Sequence, residues 1–291
     1  MTSFALSHLT MPAALAAADP LISDPLATER HLDEAIWAGN PNNPDQVTWL
    51  AHFRRRARLA AQMPEVRSNA TVDPAAHAAW LAAEGWEAQI SQGSPADIFL
   101  AATLNIAARW MDPGRAYLDR DGIHRAVLKN LLGTGWRSEM VVTVHTKTKY
   151  TFLFQQTADK PVTRGDLCRR AAAMATPPTS AYAAEKVHLD FPMIDLRVRD
   201  GSSYMLGMRR GDHVVTQACE QLRLEMNELG GRASAAAEVA VTRGFDNTPV
   251  VKIDGPFVVA VVNHTAPALD RVMFAAFCDV DSWKRPDPSR I

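Results

Sequence analysis

The C-terminal stretch from Val214 to Val280 constrains the fold most, because it joins three strand-like segments through a run of small residues. A strand pattern over residues 214–231 leads into the small-residue run Arg232–Glu238, and an irregular segment, Thr242–Thr248, follows. This order predicts a strand, a hinge, an exposed loop and then a β-hairpin. The hairpin consists of two apolar segments and the turn between them: Gly255–Val262, Asn263–Pro267 and Arg271–Phe277.

Length and charge narrow the class of protein. With 291 residues, of which 47% are apolar, the chain can bury a large core. We expect a single domain over residues 1–291, in which N-terminal helices (1–70) and a reduced middle (71–213) precede the C-terminal stretch (214–291). The net charge of -1 creates no general attraction to nucleic acid or to a membrane surface, so neither is an expected partner.

Cysteine usage and the N-terminal sequence indicate an ordinary cytoplasmic protein. Cys168, Cys219 and Cys278 are far apart and form no CxxC pair, so we expect inert thiols, no disulfide framework, no metal site and no cofactor. Pro12 and Asp19 interrupt the N-terminal apolar residues, and no run approaches the ~20 apolar residues of a membrane span.

Periodicity and turn residues predict the remaining elements. The expected helices are Met11–Ala18, Ala27–Trp37, Gln46–Met63, Ala75–Ile90, Ile123–Leu132 and Arg164–Ala175. The expected strands are Asp97–Trp110, Glu139–Val144, Tyr150–Phe154 and Val187–Val198.

Several short patterns in the same order resemble the serpin superfamily. Trp80, Leu81 and Gly85 match the helix that lies across the front of the serpin main sheet, and Asn105 and Trp110 match its central strand. The resemblance implies an α+β, reduced serpin-like fold with a main mixed β-sheet, a smaller barrel-like sheet and surrounding helices. Further matches are Pro192 and the C-terminal hinge, while residues 199–213 are shorter than the helical segment usual there.

The resemblance implies one function for the hinge. In an inhibitory serpin a serine protease cuts the exposed loop, and the N-terminal part of the loop inserts into the main sheet. Alignment from Glu228 makes Ala233–Ala237 the inserting residues, whereas alignment from Phe257 moves Arg232 onto the first inserting position and Glu238 into the inserting segment. The protease would cut at the segment that comprises Arg243, Gly244, Phe245 and Asp246.

A weaker resemblance, to bacterial β-carboline-forming Pictet–Spengler enzymes, implies a different function. His77 stands ten residues before Glu87, as the histidine and the glutamate base do in that family, although Gln62 occupies the position of the arginine. The nearby arginines, Arg67 and Arg58, would hold the carboxylate of a tryptophan-like substrate. Indole-stacking walls would come from Trp80, Trp86 and Trp110.

The sequence therefore leaves three functions open. The first hypothesis is a serpin-fold enzyme that condenses an aromatic amino acid with an aldehyde, with Glu87 as general base. The alternatives are a serine protease inhibitor and a non-inhibitory ligand carrier. A homodimer is a further hypothesis, in which two chains share a pocket.

Overall fold

The fold was analysed in a computed structural model of the chain. It describes residues 3–7, 9–18, 21, 53–85, 98–135, 140–161, 163–176, 184–198, 208–210, 213–214, 218–220, 222–231, 248–267 and 270–286. The expected helix Ala27–Trp37 lies outside these ranges. None of the described helices is long and apolar enough to cross a membrane.

The described elements mix a few short helices with many strands. The helices are α1 (Thr10–Ala18), α2 (Phe53–Ala61), α3 (Pro74–Ala83) and α4 (Arg164–Met174). The first nine strands are β1 (Phe4–Ser7), β2 (Val66–Thr71), β3 (Phe99–Leu104), β4 (Ala108–Arg109), β5 (Arg115–Leu118), β6 (His124–Thr134), β7 (Val141–His145), β8 (Tyr150–Gln156) and β9 (Glu185–Pro192). The others are β10 (Ile194–Val198), β11 (Arg209–Arg210), β12 (His213–Val214), β13 (Ala218–Glu220), β14 (Leu222–Met226), β15 (Gly230–Gly231), β16 (Val250–Lys252), β17 (Phe257–Asn263) and β18 (Val272–Cys278).

The chain forms two compact units, which are described separately. Unit 1 comprises residues 1–6, 106–197 and 223–291, and unit 2 comprises residues 7–105 and 198–222. The single domain expected over residues 1–291 stays a prediction.

A nine-stranded sheet dominates unit 1. Its strands follow the order β1-β18-β17-β8-β7-β6-β9-β16, and β5 pairs with β6. Among the described registers of this sheet, β16 and β9 pair in parallel fashion and the others are antiparallel, which makes the sheet mixed. A four-stranded sheet, β10-β14-β15-β4, lies almost entirely in the same unit.

The predicted C-terminal hairpin is confirmed and forms the core of the nine-stranded sheet. All seven residues of β17 and all seven of β18 are buried. Continuous apolar runs of this kind are typical of strands that are covered on both faces. Phe257 pairs with Cys278 on one side and with Gln156 of β8 on the other, so the hairpin joins the predicted β7–β8 hairpin edge to edge.

Unit 2 is built around β3. This strand pairs with β2 in antiparallel fashion and with β13 in parallel fashion. The small residues of α1 let that helix pack closely on β2 and β3, as the predicted buried helix requires. Helix α3 begins at Pro74 after an Asp73 cap and ends at Ala83, because Gly85 takes a positive φ of 75°.

Three predicted elements differ in the structure. Residues 123–132 are a strand and not a helix, because β6 gains backbone partners in both β7 and β9. The strand expected over residues 97–110 is interrupted between β3 and β4. The strand expected over residues 187–198 divides at Met193 into β9 and β10, which belong to different sheets.

Candidate functional site

The two residues before the predicted hinge form a strand between two others, and the hinge itself, Arg232–Glu238, lies outside the described residues. Gly231 pairs with Met226 of β14 on one side and with Ala108 of β4 on the other, both in antiparallel register. Gly230 pairs with Arg109 in the same ladder. The two residues that precede the hinge thus occupy a slot between β14 and β4.

A tight turn directs the chain from β14 into this slot. The side-chain oxygen of Asn227 accepts hydrogen bonds from the backbone N–H of Leu229 at 2.8 Å and of Gly230 at 3.1 Å. The Asn227 N–H in turn donates to the Gly230 carbonyl at 3.0 Å. An asparagine that bonds its own following backbone is a common way to fix a reversal.

Only glycine fits at positions 230 and 231, between β14 and β4. A Cβ on Gly230 would stand 2.3 Å from the Ala108 carbonyl oxygen, and a Cβ on Gly231 would stand 2.7 Å from Cζ of Phe152. The first contact is with backbone, which cannot move aside without breaking the ladder. The two glycines are therefore required by close approach of the neighbouring chain.

Trp110 contacts the turn that follows β14. Its side chain is 1% exposed, and its ring meets Phe152 edge to face with 5.0 Å between centroids. Its indole N–H donates to the Asn227 carbonyl at 2.9 Å. The sequence hypothesis placed Trp110 in the wall of an indole pocket, but the structure places this ring in the core, against Phe152 and the turn that begins at Asn227.

A buried carboxylate, that of Glu225, lies on the face of β14 opposite to Met226. Glu225 is 2% exposed and accepts a hydrogen bond from Arg223, two residues earlier on the same strand. Its second oxygen is buried without a hydrogen-bond partner. A half-satisfied carboxylate beside the slot can therefore accept a further cationic or N–H partner.

The chain beyond the loop is anchored by a buried ion pair. Nε of Arg125 on β6 donates to Asp190 of β9 at 2.8 Å, and its Nη2 donates to the Ile253 carbonyl at 2.7 Å. The Tyr117 hydroxyl donates to the other Asp190 oxygen at 2.7 Å. Burial and this hydrogen bond raise the pKa of Tyr117. These contacts hold the residue after β16 to the nine-stranded sheet.

The structure places His77, the predicted partner of a catalytic base, in an apolar setting. The side chain is 1% exposed, its ring lies 5.5 Å from that of Phe99, and Asn69 is its polar neighbour, with 3.5 Å between Nδ2 and Nδ1. Burial lowers the pKa of His77. This ring is therefore held neutral and has little access to a substrate.

The other predicted enzyme residues are only partly described. Arg67 is an exposed side chain that forms an ion pair with Glu84 at 2.6 Å, Arg58 is exposed, and Trp80 is half-buried. Glu87 and Trp86 lie outside the described residues, as do Arg243, Gly244, Phe245 and Asp246. Within the described part of the chain, no three His, Cys, Asp or Glu side chains are grouped to hold a metal ion.

Sequence reasoning missed the two buried charge clusters. Arg125, Asp190 and Glu225 each interrupt an apolar strand pattern, which was the available signal. A charge inside such a pattern needs a buried partner. The partner cannot be found from spacing, because Arg125 and Asp190 are 65 residues apart.

Comparison of the structure with solved proteins identifies the fold. The chain is similar to the insect serpin Serpin48 from Tenebrio molitor, with a TM-score of 0.57, 11% identity, and coverage of 95% of this chain and 91% of that chain. Human thyroxine-binding globulin in complex with thyroxine gives a TM-score of 0.56 at 11% identity, with the same coverage of 95% and 91%. The thermophilic serpin tengpin in its native state gives 0.54 at 12% identity, over 94% of this chain and 88% of that chain.

No protein-family model matches the sequence, and no curated protein matches it. The likeness in structure is nevertheless extensive, and the chain has the serpin fold, as the order of sequence patterns predicted. The similar structures include serpins and a thyroxine-binding globulin, and a fold alone does not determine a function.

Proposed function

We propose that the protein is a protease inhibitor whose loop, once cut, inserts alongside β14 as a continuation of β15. The observation that carries this proposal is the pairing of Gly230 and Gly231 between β14 and β4. The strand can lengthen along the rest of β14, from Glu225 to Leu222, with no change in the direction of the chain, whereas both residues of β4 are already paired.

The sequence beyond Gly231 has the alternation that such a strand needs. Side chains alternate between faces along a strand, and position 231 faces Phe152 in the core. Continued in this register, the core-facing residues are Ala233, Ala235, Ala237, Val239 and Val241, all small or apolar. The residues on the opposite face, the one that carries Glu225, are Arg232, Ser234, Ala236, Glu238 and Ala240, which include both charges.

This register also supplies a partner for Arg232. Since Met226 pairs with Gly231, the next pair of the same ladder would be Glu225 with Arg232. Cross-strand residues lie on the same face of a sheet about 5 Å apart. Insertion would thus bring a guanidinium to the carboxylate oxygen of Glu225 that is buried without a partner. Of the two alignments of the hinge, the register favours the one in which Ala233–Ala237 insert.

The decisive experiment is the formation of a covalent protease complex. We expect an SDS-stable adduct with a trypsin-like protease that cuts after Arg243 or a chymotrypsin-like protease that cuts after Phe245. Ala235→Arg puts a charge toward the core and should turn the inhibitor into a substrate, whereas Ala236→Arg puts the same charge outward and should keep the adduct. Cleavage of the native loop with no adduct from either protease would refute the proposal.

A ligand carrier is the second candidate function. It is favoured by the structural likeness to thyroxine-binding globulin, whose structure was solved with thyroxine bound. A carrier would bind a small apolar ligand, form no protease adduct and leave the ligand unchanged. Binding measured by titration calorimetry in the Ala235→Arg variant would separate this function from inhibition.

Pictet–Spengler condensation ranks last. The described residues of that site do not support condensation, because the His77 ring packs against Phe99 and Arg67 forms an ion pair with Glu84. Incubation with L-tryptophan and an aldehyde, followed by detection of β-carboline fluorescence, tests it directly. Turnover that is lost in Glu87→Gln would restore the enzyme hypothesis.

A further inference from the structure

The nine-stranded sheet carries a cavity where β8 ends and β9 begins. The volume of this cavity is about 560 Å³, which lies in the range of small-molecule sites. Its floor follows a row of paired residues across four strands: Phe154 of β8 pairs with Val142 of β7, Val142 with Gly133 of β6, and Gly133 with Glu185 of β9. Cross-strand partners share one face of a sheet, so the row places an apolar floor beside the Glu185 carboxylate.

The floor is closely packed. Phe154, Val142 and Met140, which line the cavity, are all buried. A Cβ at Gly133 would stand 2.7 Å from the Met140 sulfur, so the absence of a side chain at position 133 lets the methionine lie flat on the sheet. A ligand in the cavity would therefore meet a firm apolar surface.

The opposite wall is the segment Pro249–Asp254, which contains β16. A hydrogen bond holds this wall to the end of β8, because Nε2 of Gln156 donates to Oδ1 of Asp254 at 3.2 Å. Apolar surface on the wall is open to solvent, since Val250 is 57% exposed. A ligand that covered Val250 would gain hydrophobic free energy.

Charges of both signs surround the apolar surfaces. Glu185, Lys252 and Asp254 line the cavity, and all three are exposed. Within the described part of the chain, no ion pair joins Lys252 to either carboxylate. The cavity therefore offers a ligand one cation and two anions beside an apolar floor.

We propose that this cavity binds a short apolar peptide with free termini, of dipeptide size. Lys252 and Asp254 are two residues apart, and the two termini of a dipeptide are also separated by two residues of chain, so both pairs of charges span ~7 Å when extended. The two charges of a free amino acid are attached to a single carbon and are too close together to match this spacing. The peptide ammonium would lie at Asp254 and Glu185 and its carboxylate at Lys252, while the apolar side chains cover the floor and Val250.

The site is separate from the elements of the proposed inhibition. None of the lining residues belongs to β14, β15 or the loop, so peptide binding does not depend on loop insertion. Formation of a protease adduct and binding of a dipeptide are accordingly independent measurements, and the failure of one leaves the other standing.

Titration calorimetry with L-leucyl-L-phenylalanine tests this proposal. N-acetylation of the dipeptide removes its ammonium group, and amidation removes its carboxylate. Each change should weaken binding about fivefold, the upper end for an exposed charge pair. Lys252→Gln should bind the dipeptide and its amide equally, and Glu185→Gln/Asp254→Asn should bind the dipeptide and its N-acetyl form equally.

The control changes charges of the same kind beside the cavity. Asp159 and Lys160 are exposed and border the neighbouring groove, so Asp159→Asn/Lys160→Gln should keep the affinity and both preferences. Ala158 is exposed where the cavity and the groove meet, so Ala158→Trp should abolish binding by filling the opening, and urea denaturation checks that this variant folds. No binding of the dipeptide, equal binding of all three ligands to the native protein, preferences that survive the loss of the charges, or unchanged binding in a folded Ala158→Trp would each overturn the proposal.

Discussion

Gly231 lies against the ring of Phe152 so closely that a Cβ at position 231 would stand 2.7 Å from the ring Cζ. This contact fixes which face of an inserting strand meets the core. It therefore determines, for every later residue of an inserting strand, whether the side chain faces the core or the opposite side.

The first prediction concerns Gly230 and Gly231, the two glycines that precede the hinge. Gly230→Ala and Gly231→Ala should each lower the free energy of unfolding by ~1–3 kcal/mol, because an added methyl group overlaps the Ala108 carbonyl or the Phe152 ring. Urea denaturation measures the change. Gly165→Ala is the matched control, since the nearest atom to its added Cβ is 3.5 Å away. Unchanged stability in both Gly230→Ala and Gly231→Ala would show that the space around these two positions is larger than described.

The second prediction concerns Glu225 and Arg232. If the loop inserts in the register of Met226 and Gly231, Arg232→Glu should slow adduct formation with the protease, because it would place a second carboxylate opposite Glu225. Stopped-flow kinetics of inhibition provide the rate. The exchanged pair Glu225→Arg/Arg232→Glu should recover part of that rate, and a failure to recover would mean that these positions do not pair.

The third prediction concerns the anchor of β16. Arg125→Met leaves the Asp190 carboxylate buried without its cation and should cost ~3–5 kcal/mol. Removing both charges, in Arg125→Met/Asp190→Leu, should cost less than the sum of the single changes. Urea denaturation of the four proteins forms a double-mutant cycle, and strict additivity would contradict the ion pair.

The fourth prediction concerns pH and His77. Because burial lowers its pKa below 6.5 in the folded protein, its contribution to stability is present above pH 6.5 and is lost as the pH falls through the lowered pKa. The free energy of unfolding should decline over that interval less steeply in His77→Phe than in the native protein. His264 also titrates below 6.5, so His264→Gln separates its share. An identical pH profile in His77→Phe would mean that the ring is solvated.

Sequence patterns predicted the parts of the fold whose signal is local. The hairpin of β17 and β18 follows from two continuous apolar runs, and α4, predicted over Arg164–Ala175, begins after a capping box formed by Thr163 and Asp166. The prediction of a helix over residues 123–132 was wrong. The composition of this segment favours a helix, but pairing with β7 and β9 makes it a strand, and these partners cannot be identified from the local sequence.

The candidate site was predictable only in outline. The run of small residues after Gly231 predicts a hinge, but two registers were possible because the face that each side chain takes depends on what the preceding residue touches. The contact of Gly231 with Phe152 and its pair with Met226 favour one of the two registers. The charge clusters around Asp190 and Glu225 likewise depend on strands that meet only in the folded chain.

The most direct test of loop insertion is the melting temperature after a single cut. Residues 243–247 are replaced by the recognition sequence of a site-specific protease, and the intact and cut proteins are compared by calorimetry. Insertion of the residues that follow Gly231 alongside β14 predicts a large rise in Tm on cleavage, and the rise should vanish in Ala235→Arg but persist in Ala236→Arg. A Tm that is unchanged or lower after cleavage of the otherwise native chain would contradict insertion.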